Sequence, residues 1–349
     1  MRAAVFHGPH DIRAEQVEDP HPIEPTDAIV RVVAAGVCGS DLWTYRGQSS
    51  ATPGARIGHE FVGVVEEVGT QVRTLRPGAW VIAPFRFSDG TCAYCRMGME
   101  SSCLHGGFWS REEVTGGQGE YVRVPYAEGT LVEALPRGEA PDTRLVPSLL
   151  ALCDVMGTGY HAARRAGVEP GSRVVVVGDG AVGQCAVLSA SLLGAELVMV
   201  VGSRHEQRRE LVGRMGATHA VPVRGDEAVE AVCEQTAGLG ADIVLECVGT
   251  PDAFASAVAL TRDGGTIGYV GLPHGVELTL ATLFPRNIAV TGGVAPVRHY
   301  LPGLLPKVLD GTVDPGAVFT DRLPLTDITT AYDLLDRRAT VKPLIDMAA

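Results

Sequence analysis

One glycine-rich stretch constrains the fold of this chain more than any other. It reads SRVVVVGDGAVG, a β-branched run followed by Gly178, Gly180 and Gly183. Gly178 is spaced to form a tight turn, Gly180 to let the backbone approach a pyrophosphate, and Gly183 to let a helix pack closely on the strand. Phosphates would then lie at the positive N-terminus of that helix, beside Ala181 and Val182.

The sequence around this turn favours a dinucleotide-binding fold. A strand is predicted at 174–177, a helix at 184–193 that ends before Gly194, and a second apolar strand at 196–201. A G-x-G-x-x-G pattern alone also fits a turn that binds nothing. The order of strand, turn, helix and strand is what favours a bound dinucleotide.

The end of the second strand predicts which dinucleotide is bound. An acidic residue at this place normally holds the ribose 2′-hydroxyl of NAD, but the chain has Gly202, followed by Ser203, Arg204 and, a turn later, Arg208. Guanidinium groups without a carboxylate suit a 2′-phosphate. We therefore expect NADP rather than NAD, the alternative being that Arg204 and Arg208 are solvated residues at a helix start.

Composition limits the classes of function. The chain has 349 residues, enough for two domains, and a net charge of -12 that disfavours nucleic-acid binding. No run is long enough to span a bilayer and no secretory segment is evident, so we expect a soluble cytoplasmic protein. In that setting the cluster of Cys92, Cys95 and Cys103 indicates metal binding rather than disulfides.

The pattern of predicted elements changes near residue 155. The first part reads as short strands between Gly and Pro turns, whereas the following part alternates strands with helices, which predicts a parallel sheet covered on both faces. After residue 291 the chain is Pro-rich, with one late helix at 328–335.

A second group of residues could bind a metal at an open site. Cys38 follows one apolar strand, His59 precedes another, and Cys153 and Asp154 precede the dinucleotide region. One Cys, one His and one further anionic ligand could hold a zinc ion and leave its fourth position open for Lewis-acid catalysis. Each residue taken singly is more typical of packing.

Several motifs together resemble the zinc-dependent medium-chain alcohol dehydrogenases, over essentially the whole chain. They are CGSD from Cys38, GHExxG from Gly58, the cysteine cluster, the turn at Gly178 and ECVG from Glu246. The resemblance implies an α/β protein with a GroES-like β-rich catalytic domain (1–155 and 291–349). Its second part would be a Rossmann doubly wound parallel sheet that binds the cofactor (156–290).

The resemblance also implies roles at the first metal site. Cys38, His59 and Asp154 would bind the catalytic zinc, with Glu60 beside it as a carboxylate or exchangeable ligand. Counting four residues back from the Thr-Gly-Tyr motif selects Asp154, although Cys153 stays open because zinc also favours thiolate. Ser40 would pass on the hydroxyl proton.

Three aromatic residues are candidates for the wall of the substrate pocket. Trp43 stands where many relatives have a proton-relaying His, and indole cannot titrate in that role. Phe85 and Trp109 match other lining positions, although each aromatic could equally be part of the core.

Two further sets of residues follow from the resemblance. Asp89, Cys92, Cys95 and Cys103 would form a structural zinc site, unless the lobe has lost its metal together with the family's first cysteine. The expected cofactor contacts are Thr158, Gly178, Gly180, Ala181, Val182, Gly183, Gly202, Ser203, Arg204, Arg208, Val248, Val270 and Lys342.

The expected function is reversible hydride transfer between a small primary or secondary alcohol and NADP, with zinc polarising the oxygen. The partners would be the small substrate and further copies of the chain in a homodimer or homotetramer. Two alternatives stay open: a zinc-free quinone or enoyl reductase of the same superfamily, and a catalytically silent cofactor-binding regulator.

Overall fold

The computed structural model describes residues 1–110, 114–202 and 205–348. The chain divides into two compact units, one of Met1–Asp154 with Pro296–Ala349 and the other of Val155–Ala295. Within the described residues, no helix is both long and apolar enough to cross a membrane.

The N-terminal part of the first unit is rich in short strands, as its sequence predicts. Its strands are β1 (Arg2–Gly8), β2 (Asp11–Gln16), β3 (Ala28–Gly36), β4 (Phe61–Val68), β5 (Trp80–Ala83), β6 (Arg86–Phe87), β7 (Gly107–Phe108), β8 (Tyr121–Val124) and β9 (Val132–Leu135). Its helices are α1 (Asp41–Tyr45), α2 (Ala93–Arg96), α3 (Ala127–Thr130) and α4 (Val146–Ala151), with a 3₁₀ turn at Glu100–Ser102.

The second unit alternates helices and strands. Its helices are α5 (Val155–Ala166), α6 (Ala181–Leu192), α7 (Glu206–Arg214), α8 (Asp226–Gln235), α9 (Pro251–Leu260) and α10 (Leu280–Leu283), with a 3₁₀ turn at Phe284–Arg286. Its strands are β10 (Arg173–Val177), β11 (Leu197–Val201), β12 (His219–Val221), β13 (Ala241–Glu246), β14 (Thr261–Tyr269) and β15 (Ala289–Gly292).

The C-terminal part of the chain returns to the first unit. It contains α11 (Val297–Leu309), α12 (Ile328–Asp336), β16 (Asp321–Pro324) and β17 (Pro343–Asp346), with 3₁₀ turns at Pro315–Val318 and Leu325–Asp327. Strand β17 pairs with β3 in a seven-stranded sheet ordered β16-β17-β3-β4-β5-β9, to which β8 adds through β3. Both ends of the chain therefore build one sheet, and the predicted fold class is confirmed.

The six strands of the second unit form one parallel sheet in the order β12-β11-β10-β13-β14-β15. Strand β10, which leads into the glycine turn, lies in the middle, and its residues Val174–Val177 are buried on both faces. The chain reverses its direction of winding between β10 and β13. Dinucleotides bind at such a switch point, at the carboxyl ends of the strands.

Helix α11 was not predicted from the sequence. It contains Pro302 and Pro306. Proline lacks the backbone N–H that continues a helix, so a proline inside a helix normally kinks or ends the helix. Both prolines lie on the exposed side, whereas Val297, Leu301, Leu304, Leu305 and Val308 are buried. Burial of this apolar stripe stabilises the helix although two of its hydrogen bonds cannot form.

Candidate functional site

Four side chains of the first unit converge on one point. The ligand atoms of Cys38, His59, Glu60 and Asp154 all lie within 4.8 Å of one another. The Oδ2 atom of Asp154 is 3.5 Å from Cys38 Sγ and 3.4 Å from His59 Nε2. A thiol, an imidazole and a carboxylate at these distances form a donor set that suits zinc.

The ring of His59 is oriented by a carboxylate on α1. Its Nδ1 lies 3.0 Å from Asp41 Oδ1, while Asp41 Oδ2 accepts the backbone N–H of Cys38 at 2.9 Å. Burial alone would lower the pKa of His59, but the Asp41 and Asp154 carboxylates outweigh it and raise that pKa. With its N–H directed at Asp41, the imidazole presents Nε2 towards Cys38 and Asp154.

The structure separates the two candidates for the third ligand. Cys153 is completely buried, and its thiol donates to the carbonyl of Phe61 at 3.0 Å rather than joining the cluster. Burial raises the pKa of this thiol, so its ionised form is disfavoured. Asp154 is the member of the pair that lies with Cys38 and His59.

Glu60 is held in a buried ion pair. Its carboxylate lies 2.6 Å from the ammonium of Lys342, which also donates to the carbonyl of Val37 at 3.2 Å. Burial would lower the pKa of Lys342, but Glu60 outweighs it and raises that pKa, so the ammonium stays charged. Gly36 provides the space, because a Cβ there would lie 2.1 Å from a Glu60 oxygen. Lys342, expected among the cofactor contacts, is thus bound to Glu60 within the first unit.

Ser40 lies beside the cluster, in the turn before α1, and Trp43 lies in α1 itself. Ser40 Oγ is 3.5 Å from His59 Nε2, on the side of the ring that faces Cys38 and Asp154. Trp43 lies within α1, where its carbonyl accepts the backbone N–H groups of Gln48 and Ser49. Ser40 is therefore the hydroxyl group beside the candidate ligands.

The structure places two of the aromatic candidates in different surroundings. Phe85 lies beside His59, with ring centroids 6.5 Å apart. Trp109 belongs to the core instead, because its indole N–H donates to the carbonyl of Pro84 and its ring packs on Phe61. The ring that stacks on Phe85 is that of Phe108, at 6.1 Å. Phe108 was not identified from the sequence.

The cysteine lobe forms a second donor group. Asp89, Cys92, Cys95 and Cys103 have ligand atoms within 4.8 Å of one another, and Cys92 Sγ lies 3.5 Å from Cys95 Sγ and 3.8 Å from Cys103 Sγ. Hydrogen bonds from backbone N–H groups, that of Leu104 first, lower the pKa of Cys92 to about 7. Easy loss of a thiol proton favours metal binding.

Asp89 belongs to this donor group and also forms hydrogen bonds with the backbone of the lobe. Its Oδ1 accepts the backbone N–H groups of Thr91 and Cys92 at 2.8 and 2.9 Å, and its Oδ2 lies 2.5 Å from His105 Nδ1. Burial would raise the pKa of Asp89, but these bonds outweigh it and hold that pKa below its usual range. His105 was not identified from the sequence, because nothing in its spacing marks it.

The glycine turn of the second unit has the geometry of a phosphate cradle. Gly178 has φ of +108°, which favours glycine, and a Cβ on Gly183 would lie 2.0 Å from the carbonyl oxygen of Gly178. A Cβ on Gly180 would meet nothing within 4 Å, which leaves the approach to the α6 N-terminus, at Ala181 and Val182, open. The turn therefore fits a pyrophosphate.

The strand end that selects the dinucleotide is only partly described, because Ser203 and Arg204 lie outside the described residues. Gly202 lies next to the turn: a Cβ built on it would be 3.8 Å from the Cα atom of Gly178. Arg208 is buried rather than solvated, with a 7% exposed side chain 3.7 Å from Asp179 Oδ1. Its contact is thus with the turn itself.

The remaining cofactor candidates occupy different places in the second unit. Thr158 is buried in α5, and Val270 follows β14, where its N–H donates to the carbonyl of Glu246. Val248 is exposed in the loop after β13. The Glu246 carboxylate shapes this loop, because its Oε1 accepts the N–H groups of Val248 and Gly249, both at 2.8 Å.

The second unit has a doubly wound sheet with a phosphate cradle, and the first unit has a cluster of Cys, His and Asp side chains. Together these features define a metal-assisted, dinucleotide-dependent oxidoreductase class. Residues 24–137 match the alcohol dehydrogenase GroES-like domain, and residues 181–310 match the zinc-binding dehydrogenase domain. A probable zinc-binding alcohol dehydrogenase of Mycobacterium tuberculosis is 35% identical over 336 residues, which cover 95% of this chain and 84% of that protein. The chain belongs to the zinc-type alcohol dehydrogenases of the medium-chain dehydrogenase/reductase family.

Solved structures agree with this assignment. An alcohol dehydrogenase from Thermus sp. has a TM-score of 0.90 and 33% identity, with 99% of both chains covered. A putative zinc-binding dehydrogenase from Sinorhizobium meliloti, bound to NADP, has a TM-score of 0.83 and 29% identity, covering 99% of this chain and 98% of that one. The chain is therefore an oxidoreductase of the alcohol dehydrogenase type.

Proposed function

We propose that this protein transfers hydride reversibly between a small alcohol and NADP, with Cys38, His59 and Asp154 holding the catalytic zinc. The observation that carries the proposal is the convergence of these three donors beside the hydroxyl group of Ser40. A zinc ion held by these residues would supply Lewis-acid polarisation of the substrate oxygen, and a bound nicotinamide would supply the hydride chemistry.

The protein's own residues would prepare this site. Asp41 fixes the His59 ring, because one carboxylate oxygen faces Nδ1 and the other accepts the Cys38 backbone N–H. Ser40 takes the substrate's hydroxyl proton in the direction of oxidation and returns it in reduction. Trp43 cannot continue a titratable relay, and its indole is proposed to restrict access to the site.

NADP is the proposed form of the nicotinamide cofactor. Gly202 places no carboxylate where NAD would need an acceptor for its ribose hydroxyl, and a carboxylate there would repel a 2′-phosphate. Binding of NADP by the Sinorhizobium meliloti relative supports the same choice. Ser203 and Arg204 follow directly in the chain and are proposed to bind that phosphate.

The cysteine lobe is proposed to hold a second, structural zinc through Asp89, Cys92, Cys95 and Cys103. Four protein ligands would leave no position for substrate, which is the pattern of structural sites. We also propose a homodimer or homotetramer. Leu280 and Phe284 of the second unit are 73% and 85% exposed near the edge strand β15, a surface that a second copy could cover.

The function is tested with a panel of primary and secondary alcohols, aldehydes and ketones, each assayed by nicotinamide absorbance with NADP and with NAD. We expect turnover of alcohols with NADP and loss of turnover after treatment with a zinc chelator. Activity that survives complete removal of zinc would favour a quinone or enoyl reductase. Cofactor binding without turnover of any substrate would favour a regulator.

A further inference from the structure

A second guanidinium lies at the strand end that selects the cofactor. Arg224 is exposed in the loop between β12 and α8, and its Nη2 donates to the carbonyl of Gly202 at 3.3 Å. Strand pairing explains this contact: Val201 is in register with Val221, so the segments after β11 and β12 leave the sheet side by side. Residues that are 22 positions apart thus meet beside the glycine turn.

The backbone around Gly202 is fixed from both neighbouring strands. The N–H of Gly202 donates to Val221 at 3.3 Å, and the N–H of Gly178 donates to Val201 at 3.0 Å. Gly178, Gly202 and the start of the Arg224 loop therefore lie next to one another at the carboxyl edge of the sheet. In this fold the adenosine ribose lies at that edge, beside the residue that ends the second strand.

The neighbouring arginines differ in what they can offer to a ligand. Arg208 is buried against Asp179 and contacts the turn. Arg224 is exposed, and within the described residues it lies in no ion pair with a carboxylate, although Asp226 and Glu227 follow it in the first turn of α8. One of its five N–H groups is used by Gly202, and the planar guanidinium has others with which to bind phosphate oxygens.

We propose that Arg224 binds the 2′-phosphate of NADP and contributes to the preference for NADP over NAD. The inference rests on the proposed NADP dependence and adds a residue from a different loop to the expected Ser203 and Arg204. Its hydrogen bond to Gly202 orients the guanidinium before the cofactor arrives, so less side-chain entropy is lost on binding. A charge-assisted contact of this kind corresponds to about ten- to a hundredfold in affinity.

The test is a binding titration with two fragments of the cofactor, adenosine 2′,5′-bisphosphate and adenosine 5′-monophosphate, on the full-length protein by calorimetry. Arg224→Ala should weaken the bisphosphate about tenfold or more and change the monophosphate less than about twofold. Arg224→Lys should recover part of the loss, because it restores the charge without the planar fork. The matched control is Arg214→Ala, which removes an exposed arginine at the C-terminus of α7. This residue is about 12 Å along the helix from the N-terminus of α7, which is the end that follows Gly202.

Each outcome decides between the two proposals. If the parent protein binds the bisphosphate tighter and Arg224→Ala leaves that difference intact, NADP dependence stands and the role of Arg224 is overturned. If Arg224→Ala weakens both fragments equally, Arg224 supports the loop and does not recognise the phosphate. If the parent protein binds the monophosphate as tightly as the bisphosphate, both the proposed cofactor and the role of Arg224 fail.

Discussion

The two groups of candidate metal ligands are assembled in different ways. Asp89, Cys92, Cys95 and Cys103 come from one continuous segment, whose turns bring them together through local backbone hydrogen bonds. Cys38, His59 and Asp154 come from three distant segments and depend on the sheet of the first unit. In the proposed function the first group would supply four ligands to a metal, whereas the second would supply three, beside the hydroxyl of Ser40.

The residues that surround the two groups also differ, in their burial and in how far apart they are in the chain. The carboxylates around the distributed cluster have partners of their own, since Asp41 orients His59 and Glu60 is paired with Lys342, 282 positions away. In the cysteine lobe, His105 contacts Asp89, and the His105 side chain is 61% exposed. We therefore expect the distributed cluster to carry the chemistry and the cysteine lobe to support its own segment of the chain.

The largest effect is expected at Asp154. Asp154→Ala should remove about one zinc per chain and lower kcat/KM by about a thousandfold or more, because the metal supplies several kcal/mol of charge stabilisation. Zinc content by atomic emission and steady-state rates measure both effects. The control is Cys153→Ser, which changes the adjacent thiol that donates to Phe61 and should keep both zinc and turnover. The reverse pattern would identify Cys153 as the ligand.

The buried ion pair should give the next largest effect, on stability. Lys342→Met leaves the Glu60 carboxylate buried without its cation, and breaking a buried pair in this way costs about 3–5 kcal/mol. Urea unfolding of the zinc-loaded protein measures the loss, and Glu60→Gln in the same chain should restore part of it. Arg322→Ala, which breaks an exposed pair with Asp346, should cost less than about 1 kcal/mol. Equal losses for the two single variants would contradict the role given to this pair.

Local patterns in the sequence predicted more than distant contacts did. The strand, turn and helix around Gly178 follow from residues that are adjacent in the chain, and β10 and α6 begin and end within a few residues of the prediction. The pairing of Lys342 with Glu60 and the contact of Arg224 with Gly202 depend on strand order, which spacing does not reveal. Helix α11 is not evident from the sequence for a different reason: two prolines are typical of a helix end, whereas the burial of five apolar residues that stabilises this helix depends on tertiary packing.

A smaller effect is expected when the cysteine lobe loses a thiolate. Cys95→Ser should remove the second zinc and lower the free energy of unfolding by roughly 1–3 kcal/mol, while kcat of the remaining folded protein changes little. The reason is that the lobe supports structure and does not contact the reacting atoms in the proposed mechanism. Denaturant unfolding and the zinc-to-protein ratio provide the measurements. A fall in kcat as large as that of Asp154→Ala would show that the two sites are not functionally distinct.

The smallest and most specific effect concerns Asp89. Its Oδ1 is already used by the backbone N–H groups of Thr91 and Cys92, so Oδ2, near His105, is the atom that we expect to reach the metal. Asp89→Asn keeps an oxygen for the backbone bonds but replaces the second oxygen with an amide nitrogen, which is a poor zinc ligand. The affinity of the lobe for zinc should therefore fall about ten- to a hundredfold, with little change in turnover.

Two companion variants decide how this result is interpreted. Asp89→Cys should retain the zinc, because a fourth thiolate is an equally suitable ligand, even though the hydrogen bonds to the backbone are weakened. His105→Ala removes the contact with Oδ2 and should change zinc affinity less than Asp89→Asn does, since an exposed histidine only helps to orient the carboxylate. Competition with a chromogenic chelator measures zinc affinity in all three proteins. If Asp89→Asn retains zinc as tightly as the parent protein, then Asp89 shapes the loop without binding metal. The lobe would in that case hold zinc through its three cysteines, with a fourth position open as in the distributed cluster.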